Sequence, residues 1–139
     1  MKKFHFHLEQ VLRWRRSLAE LRNGEALACA GAVAEAERVV ERLRAEHTTA
    51  ALELTTHSNG MTLAAGSVYL EKSRLRIVDA LKKLEAARAA LKAATEKLLE
   101  ADRNAKLLEK LKQTRLREWS VESEREMEAF AAESFLNRR

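Results

Sequence analysis

THSNGMTLAAGS, residues 56–67, is the one stretch of this chain where break signals gather. Asn59-Gly60 is a strong turn pair, and Gly66-Ser67 can supply a helix boundary and a cap. Everything before and after reads as helix, so this stretch divides the chain in two. The spacing predicts a first helix over about 5–56, a turn over about 57–67 and a second helix over about 68–135, all in a single coiled-coil domain spanning 1–139.

The second helix has an unusually regular pattern. Leu63, Leu70, Ile77, Leu84, Leu91, Leu98 and Ala105 fall every seven residues. Ala80, Ala87, Ala94, Ala101 and Leu108 each follow one of them by three. A sustained heptad of large residues with alanine at the alternate position is a coiled-coil seam that lets two helices approach closely. The stripe continues, with a shift in phase, through Leu111, Leu116, Trp119, Met127 and Phe130.

The first helix carries a weaker stripe: Leu8, Val11, Trp14, Leu18 and Leu21, then Ala28, Ala32, Ala36, Val39, Leu43, Ala50 and Leu54. The step from Ala28 to Ala32 to Ala36 is four and four, which reads as a stutter that relaxes the supercoil. Gly24 and Gly31 lie just there. Each costs a helix interior about 1 kcal/mol relative to alanine. They read either as tolerated glycines or as a soft or closely approached segment.

Composition agrees with long helices. Charged residues make up 34% of the chain and aromatics 5%, with no proline. The apolar fraction is rich in alanine, whereas a sheet protein of this length needs more β-branched, aromatic and turn residues. The expected fold is all-α, a long antiparallel two-helix coiled-coil hairpin. At about 1.5 Å per residue its helices would run roughly 75 Å and roughly 100 Å. Such a hairpin buries one seam and is marginal alone. Proteins of this build usually present their length to partners, which favours an interaction protein over an enzyme.

The net charge of +5 is unevenly placed. Lys2, Lys3, Arg13, Arg15, Arg16 and Arg22 crowd the first helix, and Lys106, Lys110, Lys112, Arg115 and Arg117 form a second basic block. From Glu118 the sign reverses through Glu122, Glu124, Glu126, Glu128 and Glu133. A turn centred near residue 62 brings Trp119 near Phe4 and Phe6, and Trp14 near Lys110. Both basic blocks then gather at one end, with the acidic part of the second helix overhanging. The charge reads either as a solvated helix face or as a docking surface for a partner of opposite sign. Aromatics are too few for a nucleic-acid stacking platform.

No motif for chemistry stands out. The chain lacks G-x-x-x-x-G-K-[ST], G-x-G-x-x-G and H-E-x-x-H. His5 and His7 are two apart and have no further metal ligand close in sequence. His47 and His57 read as surface or turn residues. Cys29, the only cysteine, reads as a small helix residue in a reducing compartment. No catalytic residue, cofactor or metal is expected, nor a signal peptide or a membrane-spanning segment.

The opening FHFHLEQVLRWRR, residues 4–16, resembles the start of the flagellar type III export FliJ family, where an F-x-F-x-L-E-x-V-L-x-x-R pattern is common. Phe4, Phe6, Leu8, Glu9, Val11, Leu12 and Arg15 match it. LEKLKQTRLREWSVESEREMEAFAAESFLNRR, residues 108–139, is similar to the basic run and glutamate-rich helix that end the family's chains. With the helix lengths and the Asn-Gly turn, the resemblance covers nearly the whole chain.

That resemblance implies an antiparallel coiled coil similar to the stalk of the rotary subunit in F-type ATP synthases. It implies a cytoplasmic part of the flagellar export apparatus, peripheral to the inner membrane and not itself an enzyme. Its partners would be the hexameric export ATPase, whose assembly and activity it promotes, a membrane export-gate protein, and export chaperones. With the family's joined termini at the ATPase, the docking candidates here are Phe4, Phe6, Arg13, Arg16, Lys110, Arg115, Arg117 and Trp119. The family's gate patch lies early in the second helix, where Tyr69, Leu70 and Ile77 are the nearest candidates. The alternative is a generic cytoplasmic coiled-coil adaptor or chaperone, with a basic nucleic-acid-binding coiled coil less favoured.

Overall fold

The computed structural model describes residues 2–57 and 59–138. Two α-helices, α1 (Glu9–His57) and α2 (Gly60–Asn137), pack against each other as an antiparallel hairpin, and the described residues include no strand. This is the fold class the heptads predict. The chain divides into two compact units, each drawing on both helices: Arg22–Lys97, and Met1–Leu21 with Leu98–Arg139.

The turn is shorter than its sequence suggests. Helix α2 starts at Gly60, not near residue 68, because Asn59 caps it. The Asn59 Oδ1 accepts the Thr62 N–H at 3.0 Å and the Thr62 hydroxyl at 2.6 Å. Its carbonyl accepts the Leu63 N–H at 2.9 Å. One residue thus satisfies donors that a helix start leaves open. Gly66 and Ser67 consequently fall inside α2. The Ser67 hydroxyl donates back to the Leu63 carbonyl at 2.8 Å instead of capping anything.

In the unit Arg22–Lys97 the shielded face of α1 runs through Ala26, Cys29, Val33, Ala36, Val40, Leu43, His47, Ala50 and Leu54. The steps alternate three and four without a break. The expected stutter is therefore absent, and Ala28 and Ala32 are exposed. On α2 the heptad holds as predicted through Leu70, Ile77, Leu84 and Leu91, with Ala80, Ala87 and Ala94 between them. Leu63 departs from it, at 45% exposure. Gly66 and Ser73 fill the small-residue position in the two heptads where alanine is missing.

Large residues on α1 meet small ones on α2. Val40 clusters with Ala80 and Leu84, and Val33, Ala36, Val39, Leu43 and Leu81 pack around them. Two heptads toward the turn, Leu54 lies over Gly66. A Cβ on Gly66 would meet Leu54 Cδ1, and would stand 2.9 Å from Cδ2 and 3.1 Å from Cγ. Between these two levels the same register puts His47 opposite Ser73, which is only 8% exposed. His47 is thus a seam residue, not a surface one, and its Nδ1 is buried without a hydrogen-bond partner among the described residues. The side chain of His57 lies outside the described residues. Gly24 and Gly31 are tolerated rather than closely approached, since an added Cβ at either meets nothing within 4 Å.

Candidate docking surface

The unit built from Met1–Leu21 and Leu98–Arg139 brings together the two stretches that carry the family resemblance. Helix α1 begins at Glu9, later than the predicted residue 5. The segment before it alternates in burial: Phe4 half-buried, His5 exposed, Phe6 buried, His7 exposed, Leu8 half-buried. That two-residue period is the signature of a chain lying along a surface with one side down. The Phe6 carbonyl accepts the Glu9 N–H at 3.1 Å, and Leu8 accepts Leu12 N–H at 2.9 Å, which starts the helix.

Apolar contacts fix this end. Leu12 is fully buried, and Ala101 and Ala105 oppose α1 with 4% and 6% exposure. Small residues there let the helices come close. The Phe4 ring sits against Trp119, with centroids 6.0 Å apart and planes tilted by 55°. Val11, Trp14 and Leu21, expected in the seam, are exposed instead. Arg15 and Ala19 take seam positions in their place. Arg15 covers the outward-facing Trp14, its guanidinium carbon 4.9 Å from the ring centroid.

Ion pairs then tie the basic blocks to acids on the opposite helix. Glu9 Oε2 lies 2.8 Å from Lys112 Nζ. That oxygen is shielded from solvent, and the ammonium at this distance is what satisfies it. Lys112 holds the Glu9 carboxyl below its ordinary range, helped by the charges of Arg13 and Arg16 and opposed by partial burial. Arg16 donates to Glu109 Oε1 through Nε at 2.8 Å and lies 2.7 Å from it through Nη2. Arg115 instead pairs within α2, with Glu118 at 3.2 Å.

The predicted ATPase-docking residues therefore separate into groups. Phe6 is core, Phe4 and Trp119 close the seam, and Arg16 and Arg115 are engaged within the unit. Arg13 is 76% exposed, with a long 3.9 Å contact to Glu9. Lys110 and Arg117 are exposed and have no ion-pair partner among the described residues. Of the gate candidates, Tyr69 is exposed, while Leu70 and Ile77 are half-buried in the interhelix seam.

A cleft of about 850 Å³ opens between the N-terminal segment and α2. Lys2, Lys3, His5 and His7 line one wall, and Arg115, Glu118, Glu122 and Glu126 line the other. The three glutamates recur every four residues and so share a helix face. Their four-residue spacing alone places them in line. Among the described residues no three His, Cys, Asp or Glu side chains converge as a metal site would need. No helix among them is long and apolar enough to cross a membrane. No family model, curated protein or solved structure matches the chain.

Proposed function

We propose that this chain is a component of the flagellar type III export apparatus. In this reading it is a coiled-coil stalk that binds the hexameric export ATPase, promotes its assembly and activity, and links it to the export gate and export chaperones. It works by binding rather than catalysis, in the cytoplasm at the inner face of the membrane.

One observation carries the reading. The two stretches that resemble the family are far apart in sequence, yet they meet in a single unit through Phe4 with Trp119, Glu9 with Lys112 and Arg16 with Glu109. The joined ends are the part of such a stalk that engages the ATPase. Of the docking candidates, Lys110 and Arg117 have no ion-pair partner among the described residues, and complementary charge there would steer association. At the other unit, Tyr69 is the exposed candidate for the gate.

Co-sedimentation of the full chain with the nucleotide-loaded export ATPase tests this. The proposal expects a complex at low salt that weakens as salt rises. Its absence at every salt concentration, with the chain shown to be helical, would remove the proposal's basis.

A further inference from the structure

The α2 seam does not stop where α1 begins. Trp119, Ser123, Met127, Phe130 and Ser134 follow one another at steps of four, four, three and four, which keeps them on one face. Phe4 covers Trp119. Further along the same face, Met127 is 50% exposed and Phe130 72% exposed. A helix that is apolar on one stripe buries that stripe against another element when it can.

The flanks of the stripe say what would cover it. Between residues 120 and 137 stand Glu122, Glu124, Glu126, Glu128 and Glu133, against Arg125 alone. At 3.6 residues per turn, Glu122, Glu126 and Glu133 border one side of the Met127–Phe130 stripe and Glu124 the other, with Glu128 further round toward the back of the helix. A second copy seated here would set five glutamates against five, and like charges across a helix pair are unfavourable. The charge and the apolar stripe together specify a different occupant.

We propose that residues 122–134 of α2 form a docking surface for a basic amphipathic helix of another protein. That helix would extend the seam α1 occupies lower down, its apolar side on Met127 and Phe130 and its lysines or arginines on the flanking glutamates. Lys2 and Lys3 line the same cleft as Glu122 and Glu126, but among the described residues no ion pair joins them, so this acidic border is open to a partner's cations. The inference does not depend on the export-ATPase reading, because it can be tested on this chain alone.

The probe is a synthetic amphipathic helical peptide with leucines in a heptad stripe and lysines on both flanks, labelled for fluorescence anisotropy against the full chain. Controls are the same peptide with glutamate flanks and one with its leucines scrambled. The lysine-flanked peptide should bind, with affinity falling as salt rises. Phe130→Ser should weaken it about tenfold or more, as expected for a buried aromatic anchor. Glu122→Gln with Glu126→Gln should weaken it and flatten its salt dependence. Lys110→Ser with Arg117→Ser should leave it intact. Phe130, Glu122 and Glu126 are exposed or border the open cleft, so helicity by circular dichroism should be unchanged in every variant. Equal binding of the glutamate-flanked or scrambled peptide, or no change on Phe130→Ser, would overturn the proposal. So would self-association of the chain that Phe130→Ser abolishes, since the occupant would then be a second copy.

Discussion

Leu54 lies directly over Gly66, close enough that the glycine has no room for a β-carbon without moving it. Gly24 and Gly31 face open space instead. The contrast gives a prediction internal to the chain. Gly24→Ala and Gly31→Ala should each raise stability by about 0.5–1 kcal/mol through helix propensity alone. Gly66→Ala should fall short of both, because the propensity gained is spent displacing Leu54. Gly66→Val, branched at the crowded atom, should destabilise. Denaturant melts of the four proteins check this, and equal gains at all three alanines would show that Leu54 yields freely.

His47 should be replaceable with profit. Among the described residues its Nδ1 is buried without a hydrogen-bond partner, at a level where aliphatic and small residues surround it. An unsatisfied buried polar atom costs about 1–3 kcal/mol, less where the residue is only half-buried. His47→Leu should therefore stabilise the hairpin by about 1 kcal/mol, read as a higher thermal midpoint. A lower midpoint would mean that the imidazole makes a bond on which the seam depends.

Much of α2 could be read from sequence, and much of α1 could not. In α2 the leucine and alanine positions name the seam directly, and Leu84 and Ala80 sit in its core as their spacing requires. Gly66 and Ser73 escape an apolar pattern because neither is apolar, although each occupies the small-residue position of its heptad. In α1 the larger apolar side chains pull the eye one position off register. Val11, Trp14 and Leu21 are exposed, while Leu12, Arg15, Ala19 and Arg22 are shielded. Arginine serves there because its long stem can lie along the seam with the guanidinium in water. Which of two neighbouring stripes is buried depends on the partner helix, and α1 alone does not contain that information. The docking surface was half legible for a similar reason. Its charges are evident, but the acids that neutralise Arg16 and Lys112 come from the opposite helix.

Acid should loosen the end of the hairpin through Glu9. Lys112 lowers the Glu9 carboxyl below its ordinary value of 4.5. A carboxylate depressed on folding contributes its full stability above the unfolded value, and loses it as pH falls through the folded one. Glu9→Gln should therefore be less stable than the parent at pH 7, with the gap closing as pH falls from 4.5 through the lowered folded value. Paired melts across that range check the sign. A gap that widens toward acid would contradict it.

The paired arginine and the open cations should respond differently to charge reversal. Arg16→Glu would set a carboxylate against Glu109 and lose two short contacts, so it should cost about 0.5–1 kcal/mol at this half-exposed site. Adding Glu109→Arg should restore most of that in a double-mutant cycle. Lys110→Glu and Arg117→Glu have no pair to break among the described residues and should change stability within about 0.5 kcal/mol. They are the appropriate probes of docking, whereas Arg16 variants confound docking with folding.

ATP hydrolysis by the flagellar export ATPase, titrated with this protein, tests the central claim most directly. The stalk reading predicts that hydrolysis rises and saturates with the wild-type chain. It predicts that the Lys110→Glu/Arg117→Glu variant needs a higher concentration for the same effect, and that salt weakens the wild-type response. A wild-type chain that is folded and helical yet leaves hydrolysis unchanged across the full titration would contradict it.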